Sequence, residues 1–225
     1  KFCTNCGKPL KSASAAETKP VKKEPKVPKK DPKDTPDYYI KRGDELLEKK
    51  DYEKAKEEFK TALEKDPKNA DATYKLAFAY HKGNYFDQAD SFFKKYLEIN
   101  PKSAEALFYL SQICRFNNDA VGEAKYLKEV VAKNPDFALG YNNLGIIHVK
   151  NKAYEEAITH FKKAIAINPK YYIAKTNLAA AYLYKNRFDD AQKELEGAQA
   201  INPDFYLPYY NMGILYNLKN NMDDA

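Results

Sequence analysis

The chain has 225 residues, is 44% hydrophobic and carries a formal net charge of +6. That size supports a substantial core, and no apolar run approaches the ~18 residues that a membrane-spanning helix needs, so no membrane span is expected. The charge excess sits at the front: residues 1–36 hold ten lysines against four carboxylates and the remainder is neutral, so a nucleic-acid role would rest on that tail alone and is not expected.

Residues 1–10, KFCTNCGKPL, contain Cys3 and Cys6 as C-x-x-C-G-K. The motif resembles one knuckle of a zinc ribbon, in which a tight turn aims two thiolates at the metal. A structural zinc site takes four ligands, and only two are local. The others would come from upstream residues or from a second copy of the chain, which would make the knuckle a point of self-association; a vestigial knuckle is the alternative. Redox use would call for a strand before the motif and a helix after it. Cys114, the third cysteine, lies far away in the sequence. An odd, sparse cysteine set suits a reducing, cytoplasmic setting rather than a disulfide framework.

Residues 11–36 contain eight lysines, five prolines and no aromatic residue. Such a segment cannot bury enough apolar surface to offset the entropy of ordering it, so a disordered, partly polyproline-II linker is expected.

From residue 37 the texture changes. Pro67, Pro101, Pro135, Pro169 and Pro203 recur every 34 residues, and a period in this range marks a repeat array. With the proline in the thirty-second place, repeats begin near 36, 70, 104, 138, 172 and 206. The eighth place then holds Ala77, Ser111, Gly145, Ala179 and Gly213. The twentieth holds Ala55, Ala89, Ala157, Ala191 and Ala225, and the twenty-fourth Phe59, Phe93, Leu127, Phe161 and Leu195. Each repeat contains two runs with helical apolar spacing around a short polar turn. Small residues let the two helices cross closely, large ones fill the space beside the crossing, and the proline ends the second helix. A lone hairpin cannot cover its apolar face, so neighbours must stack.

The pattern resembles the tetratricopeptide repeat, over residues 36–225. The expected fold is all-α: a right-handed α-solenoid of about five and a half antiparallel helix pairs, spanning 37–225, behind the linker and the knuckle. Two places depart from the pattern. In the third repeat Glu123 stands where the small residue belongs, with Ala124 beside it. A buried unpaired carboxylate is costly, so a one-residue register shift and the softest joint of the array are expected there. The pattern also stops one turn into a second helix at Ala225, as in a fragment of a longer protein.

In this family the first helix of each repeat lines a concave groove through its second, fifth, sixth, ninth, twelfth and thirteenth places, a spacing that describes one helical stripe. The resemblance therefore implies that Asn143, Asn177 and Asn211, all in the sixth place, face inward. An amide offers both donors and an acceptor to an extended peptide backbone, and the row is similar to the asparagine ladder in the repeat arm of a glycosyltransferase. Asparagine before Leu-Gly is also a family habit, so both readings stand; Asn142 would be a groove wall. In repeats two and three the inward places include Tyr74, Lys75, Phe78, Lys82, Tyr109 and Arg115. Aromatics interleaved with cations suit a peptide with hydrophobic anchors and an acidic group, though some of these rings could merely brace neighbouring repeats. The chaperone-tail clamp of the family places lysine and asparagine where this chain has Ile40 and Asp44, which disfavours that ligand. His148 falls at a core place, and His160 is expected to be exposed.

No Gly-rich phosphate loop, H-E-x-x-H or nucleophile elbow is present, so no catalysis and no small-molecule substrate are expected. The function expected is that of a scaffold or adaptor that binds an extended peptide segment of a protein partner. The alternative is the substrate-recognition arm of a larger, glycosyltransferase-like enzyme with its catalytic domain beyond residue 225. Zinc, if bound at Cys3 and Cys6, would be structural.

Overall fold

A computed structural model describes residues 34–223. The knuckle with Cys3 and Cys6, nearly all of the linker and Ala225 lie outside the described residues. Within them the chain forms eleven α-helices and no strand: α1 (Pro36–Glu48), α2 (Tyr52–Lys65), α3 (Ala70–Lys82), α4 (Phe86–Ile99), α5 (Ala104–Phe116), α6 (Ala120–Lys133), α7 (Ala138–Lys150), α8 (Tyr154–Ile167), α9 (Tyr172–Tyr184), α10 (Phe188–Ile201) and α11 (Tyr206–Asp223). Consecutive helices pack pairwise into an α-solenoid, and among the first helices of the repeats α1 also meets α3, α7 meets α9 and α9 meets α11. No helix among the described residues is long and apolar enough to cross a membrane.

Every hairpin closes in the same way. Lys50, Asn84, Asn118, Lys152 and Asn186, each in the fifteenth place, adopt positive φ between 55° and 64°. The N–H of the next residue then donates to the carbonyl five places back: Asp51 to Leu46, Tyr85 to Tyr80, Asp119 to Cys114, Ala153 to His148 and Arg187 to Tyr182, at 2.8–2.9 Å. This satisfies a carbonyl that the end of the first helix would leave orphaned. Asparagine tolerates the left-handed conformation well and supplies three of the five turns. Starts are capped where the sequence allows: Asn69, Ser103 and Asp119 side chains accept from the N–H groups of Ala72, Ala106 and Gly122.

The core follows the repeat. Ala55, Ala89, Ala157 and Ala191 are fully buried at the helix crossings, as are Phe59, Phe93, Leu127, Phe161 and Leu195 beside them. In the third repeat the expected register shift does not occur. Helix α6 starts in the same place as α2, α4, α8 and α10, and Glu123 occupies the small residue's position at 6% exposure. Its carboxylate lies 3.8 Å from Arg115 Nε. That neighbour, together with Leu127 in place of the bulkier phenylalanine, lets a glutamate stand there without displacing the helix. The repeat is nevertheless thinly joined: the α4–α5 and α6–α7 junctions are less extensive than α2–α3 and α8–α9, and an open cleft of about 770 Å³ runs past Glu123, Lys128 and Ile147. His160 is not exposed as expected; it is half-buried and stacked on His148, with ring centroids 5.0 Å apart.

Candidate protein-interaction groove

The first helices of the repeats border two clefts of different chemistry. The first lies between the last turns of α3 and α5 and measures about 480 Å³, lined by His81, Lys82, Phe86, Gln112, Arg115 and Phe116. Its aromatic floor is the Phe86–Phe116 pair, 4.1 Å between centroids, with Phe116 64% exposed. Lys82 Nζ hangs 5.3 Å over the Phe78 ring, a cation–π position. The His81 ring packs edge-on against Phe86 and Tyr109. Burial, reinforced by the neighbouring Lys82 charge, pushes its pKa down to about 4, so this imidazole is neutral at physiological pH and Lys82 and Arg115 are the cleft's cations.

The second cleft lies between α9 and α11 and measures about 390 Å³, lined by Ala180, Leu183, Tyr184, Asn211, Ile214 and Leu218 among others. It has no charged lining residue. Of its lining, Tyr184 and Ile214 are exposed, as is Tyr210, the residue before Asn211.

The residues singled out from sequence divide into three groups. Phe78, Lys82, Tyr109 and Arg115 come together around the α3–α5 cleft: Phe78 and Tyr109 meet edge to face at 5.6 Å, and Tyr109 stacks on Phe93 at 5.1 Å. Tyr74 is turned into a brace against Phe93 and Tyr96, and burial pushes its phenol pKa up. Lys75 faces repeat one, paired to Asp44 at 2.6 Å and Asp71 at 3.0 Å. Burial works against its charge, but the hydrogen bonds that it donates to these two carboxylates outweigh it and hold its pKa above the usual value.

The asparagines are only partly available. Asn177 Nδ2 donates to Asn142 Oδ1 at 2.9 Å, and Asn142 Nδ2 donates to Asn143 Oδ1 at 3.4 Å. Asn142 is 3% exposed and Asn143 8%. Asn142 is therefore not a groove wall but a buried amide that ties α7 to α9, and Asn143 and Asn177 each spend one end on it. Asn211 makes no such bond among the described residues and lines the α9–α11 cleft. Sequence reasoning also missed Phe86, which reaches the first cleft from a second helix, and the apolar second cleft. The latter had a readable signal: the ninth, twelfth and thirteenth places of repeat five hold Ala180, Leu183 and Tyr184, without a charge.

No three His, Cys, Asp or Glu side chains gather as a metal-binding group among the described residues.

A family model described as the tetratricopeptide repeat matches residues 46–110 and 148–214, more than half of the chain; the interval between the blocks holds most of the third repeat. Among solved structures, MamA is similar at 26% identity over 76% of this chain and 93% of that one, with a TM-score of 0.64. YrrB, described as a TPR protein with an unusual peptide-binding site, is similar at 22% identity over 81% of this chain and 94% of its own, TM-score 0.62. PilF of Pseudomonas aeruginosa reaches a TM-score of 0.72 at 20% identity, over 84% and 86% of the two chains. The last two likenesses show the fold alone. No curated protein sequence matches significantly.

Proposed function

Because the chain belongs to the tetratricopeptide repeat family, whose fold serves protein interaction, we propose that it is a non-catalytic scaffold that takes an extended peptide segment of a protein partner into the stripe formed by α3, α5, α7, α9 and α11. The observation that carries this reading is the exposure, on that one stripe, of Phe116, Tyr184, Tyr210 and Ile214 beside the cations Lys82 and Arg115. Large apolar groups in the open mark interaction sites when they are contiguous with specific polar groups. The peptide-binding site described for YrrB is a precedent on the same fold.

The test is a peptide-display selection against the full chain, followed by Lys82→Ala, Arg115→Ala and Ile214→Ser variants, with Lys193→Ala on α10 as control. Selected peptides that lose affinity for the three groove variants and keep it for the control support the reading; peptides indifferent to all three sink it.

The recognition-arm reading rests on the asparagine row, and with Asn143 and Asn177 partly committed to Asn142 it depends mainly on Asn211. The Cys3–Cys6 pair is proposed as half of a structural zinc site in a reducing, cytoplasmic setting; zinc content of the full chain that falls in a Cys3→Ser, Cys6→Ser variant is its test.

A further inference from the structure

The groove is chemically polarised along its length, and on the peptide-binding reading above this specifies its occupant. We infer that the partner segment is bipartite: a carboxylate-bearing end seated at the α3–α5 cleft, and an aliphatic or aromatic anchor seated at the α9–α11 cleft about eight residues away.

Charge complementarity fixes the first end. Lys82 and Arg115 line the α3–α5 cleft with no carboxylate among its walls. The acid paired with Arg115, Glu123, is buried and its nearest approach to the guanidinium is 3.8 Å, to Nε, too long for a hydrogen bond; no hydrogen bond from the guanidinium is found among the described residues. A planar fork left open over an aromatic floor suits a carboxylate.

The second end is set by the lining of the other cleft. Leu183, Tyr184, Ile214 and Leu218 offer apolar walls and Asn211 one uncommitted amide. An acidic side chain there would lose its hydration without a cation to meet it. The spacing follows from the repeat. Three repeat steps separate the clefts, adjacent helices pack about 8–10 Å apart, and an extended chain advances about 3.3 Å per residue. The span is thus about 25–30 Å, or roughly eight residues.

The probes are fluorescein-labelled synthetic peptides bearing Asp-Glu, an eight-residue Gly/Ser/Ala spacer and Leu-Phe, made in both chain directions and titrated by anisotropy against the full chain. At least one direction is expected to bind in the range of tens of micromolar. Replacing Asp-Glu by Asn-Gln, Leu-Phe by Ser-Ser, or the spacer by three residues should each weaken binding about fivefold or more. Lys82→Ala with Arg115→Ala should abolish the preference for acid over amide while leaving the apolar preference; Tyr184→Ser with Ile214→Ser should do the reverse. The side chains are exposed, the Arg115→Ala variant is made together with Glu123→Gln so that no buried carboxylate loses its partner, and a salt titration of the unaltered protein gives an independent reading, weakening the acidic peptide and sparing its amide twin.

Equal affinity for all the peptides, or indifference to the spacer, overturns the inference. So does failure of every one of them to bind; in that event display-selected peptides of other chemistry that still respond to the groove variants would leave the groove reading standing. A concentration-dependent dimer broken by Ile214→Ser would also overturn it, by showing that a second copy covers the apolar end.

Discussion

Gly145 of α7 lies directly under the ring of Phe161 of α8: a Cβ added there would come within 2.5–2.8 Å of three ring carbons. Phe161 is itself fully buried and has no room to withdraw. Overpacking of this kind costs about 1–3 kcal/mol, against about 1 kcal/mol that alanine gains over glycine in a helix. Gly145→Val is therefore expected to lower the urea midpoint clearly, and Gly145→Ala slightly. Gly213 holds the same place in α11, yet a Cβ there meets nothing within 4 Å. Gly213→Ala should raise stability by about 0.5–1 kcal/mol, and opposite signs at equivalent places would confirm the packing.

The Asn142–Asn177 bond predicts a division among the asparagines. Asn142→Ala should cost about 1–2 kcal/mol, since it strands the amide ends of Asn143 and Asn177. A double-mutant cycle with Asn177→Ala should show coupling of about 0.5–1 kcal/mol. Asn211→Ala should leave the melting temperature unchanged and weaken peptide binding. Additive effects at 142 and 177 would mean that the bond contributes nothing.

His81 predicts acid sensitivity. Its folded pKa of about 4 lies below the ordinary value near 6.5, so between these pH values the unfolded chain holds a proton that the fold refuses. Stability is complete above about pH 6.5 and falls as pH drops toward 4. The ring is only part-buried, so the loss is discounted to about 1–2 kcal/mol. His160, whose pKa is lowered by burial and by His148 and Lys163, adds to it with the same sign. The difference in melting temperature between His81→Phe and the wild type should be constant above about pH 6.5 and should shift in the variant's favour toward pH 5. Parallel profiles would rule this out.

Glu123 is an acid where its sister repeats carry alanine, and its partner Arg115 is exposed enough to be hydrated without it. Glu123→Ala should therefore be neutral or stabilising by up to about 1 kcal/mol. It should also tighten binding of an acidic peptide by removing a negative charge beside the guanidinium. A marked loss of melting temperature would show that the ion pair holds the third repeat together.

The fold was legible because a 34-residue period leaves little freedom: one proline, one small place and one large place recur until the hairpin is over-specified. The identity of the crossing residues, from Ala55 and Phe59 to Ala191 and Leu195, followed directly. The site was harder to read. A sixth-place asparagine faces its neighbouring repeat as well as the groove, and periodicity cannot say which of the two takes its hydrogen bonds. Asn142 decided that for Asn143 and Asn177. Glu123 misled in another way: the rule against buried charge is sound, but it assumed no partner, and Arg115 is a partner eight residues away that no helical spacing announces. The left-handed turn at Asn84, Asn118 and Asn186 went unnoticed because Lys50 and Lys152 stand at the same place in the first and fourth repeats.

The thin α4–α5 and α6–α7 junctions have a mechanical consequence. A stack whose units touch only their neighbours behaves as a rod of springs in series, and such a rod yields at its most compliant members. The α6–α7 spring lies between the cationic cleft and the apolar one, whereas the α4–α5 spring joins the two walls of the cationic cleft itself. Bending at α6–α7 changes the distance between the two clefts and bending at α4–α5 changes the width of the cationic one, so on the proposed peptide-binding reading the array would work as a caliper with one adjustable jaw.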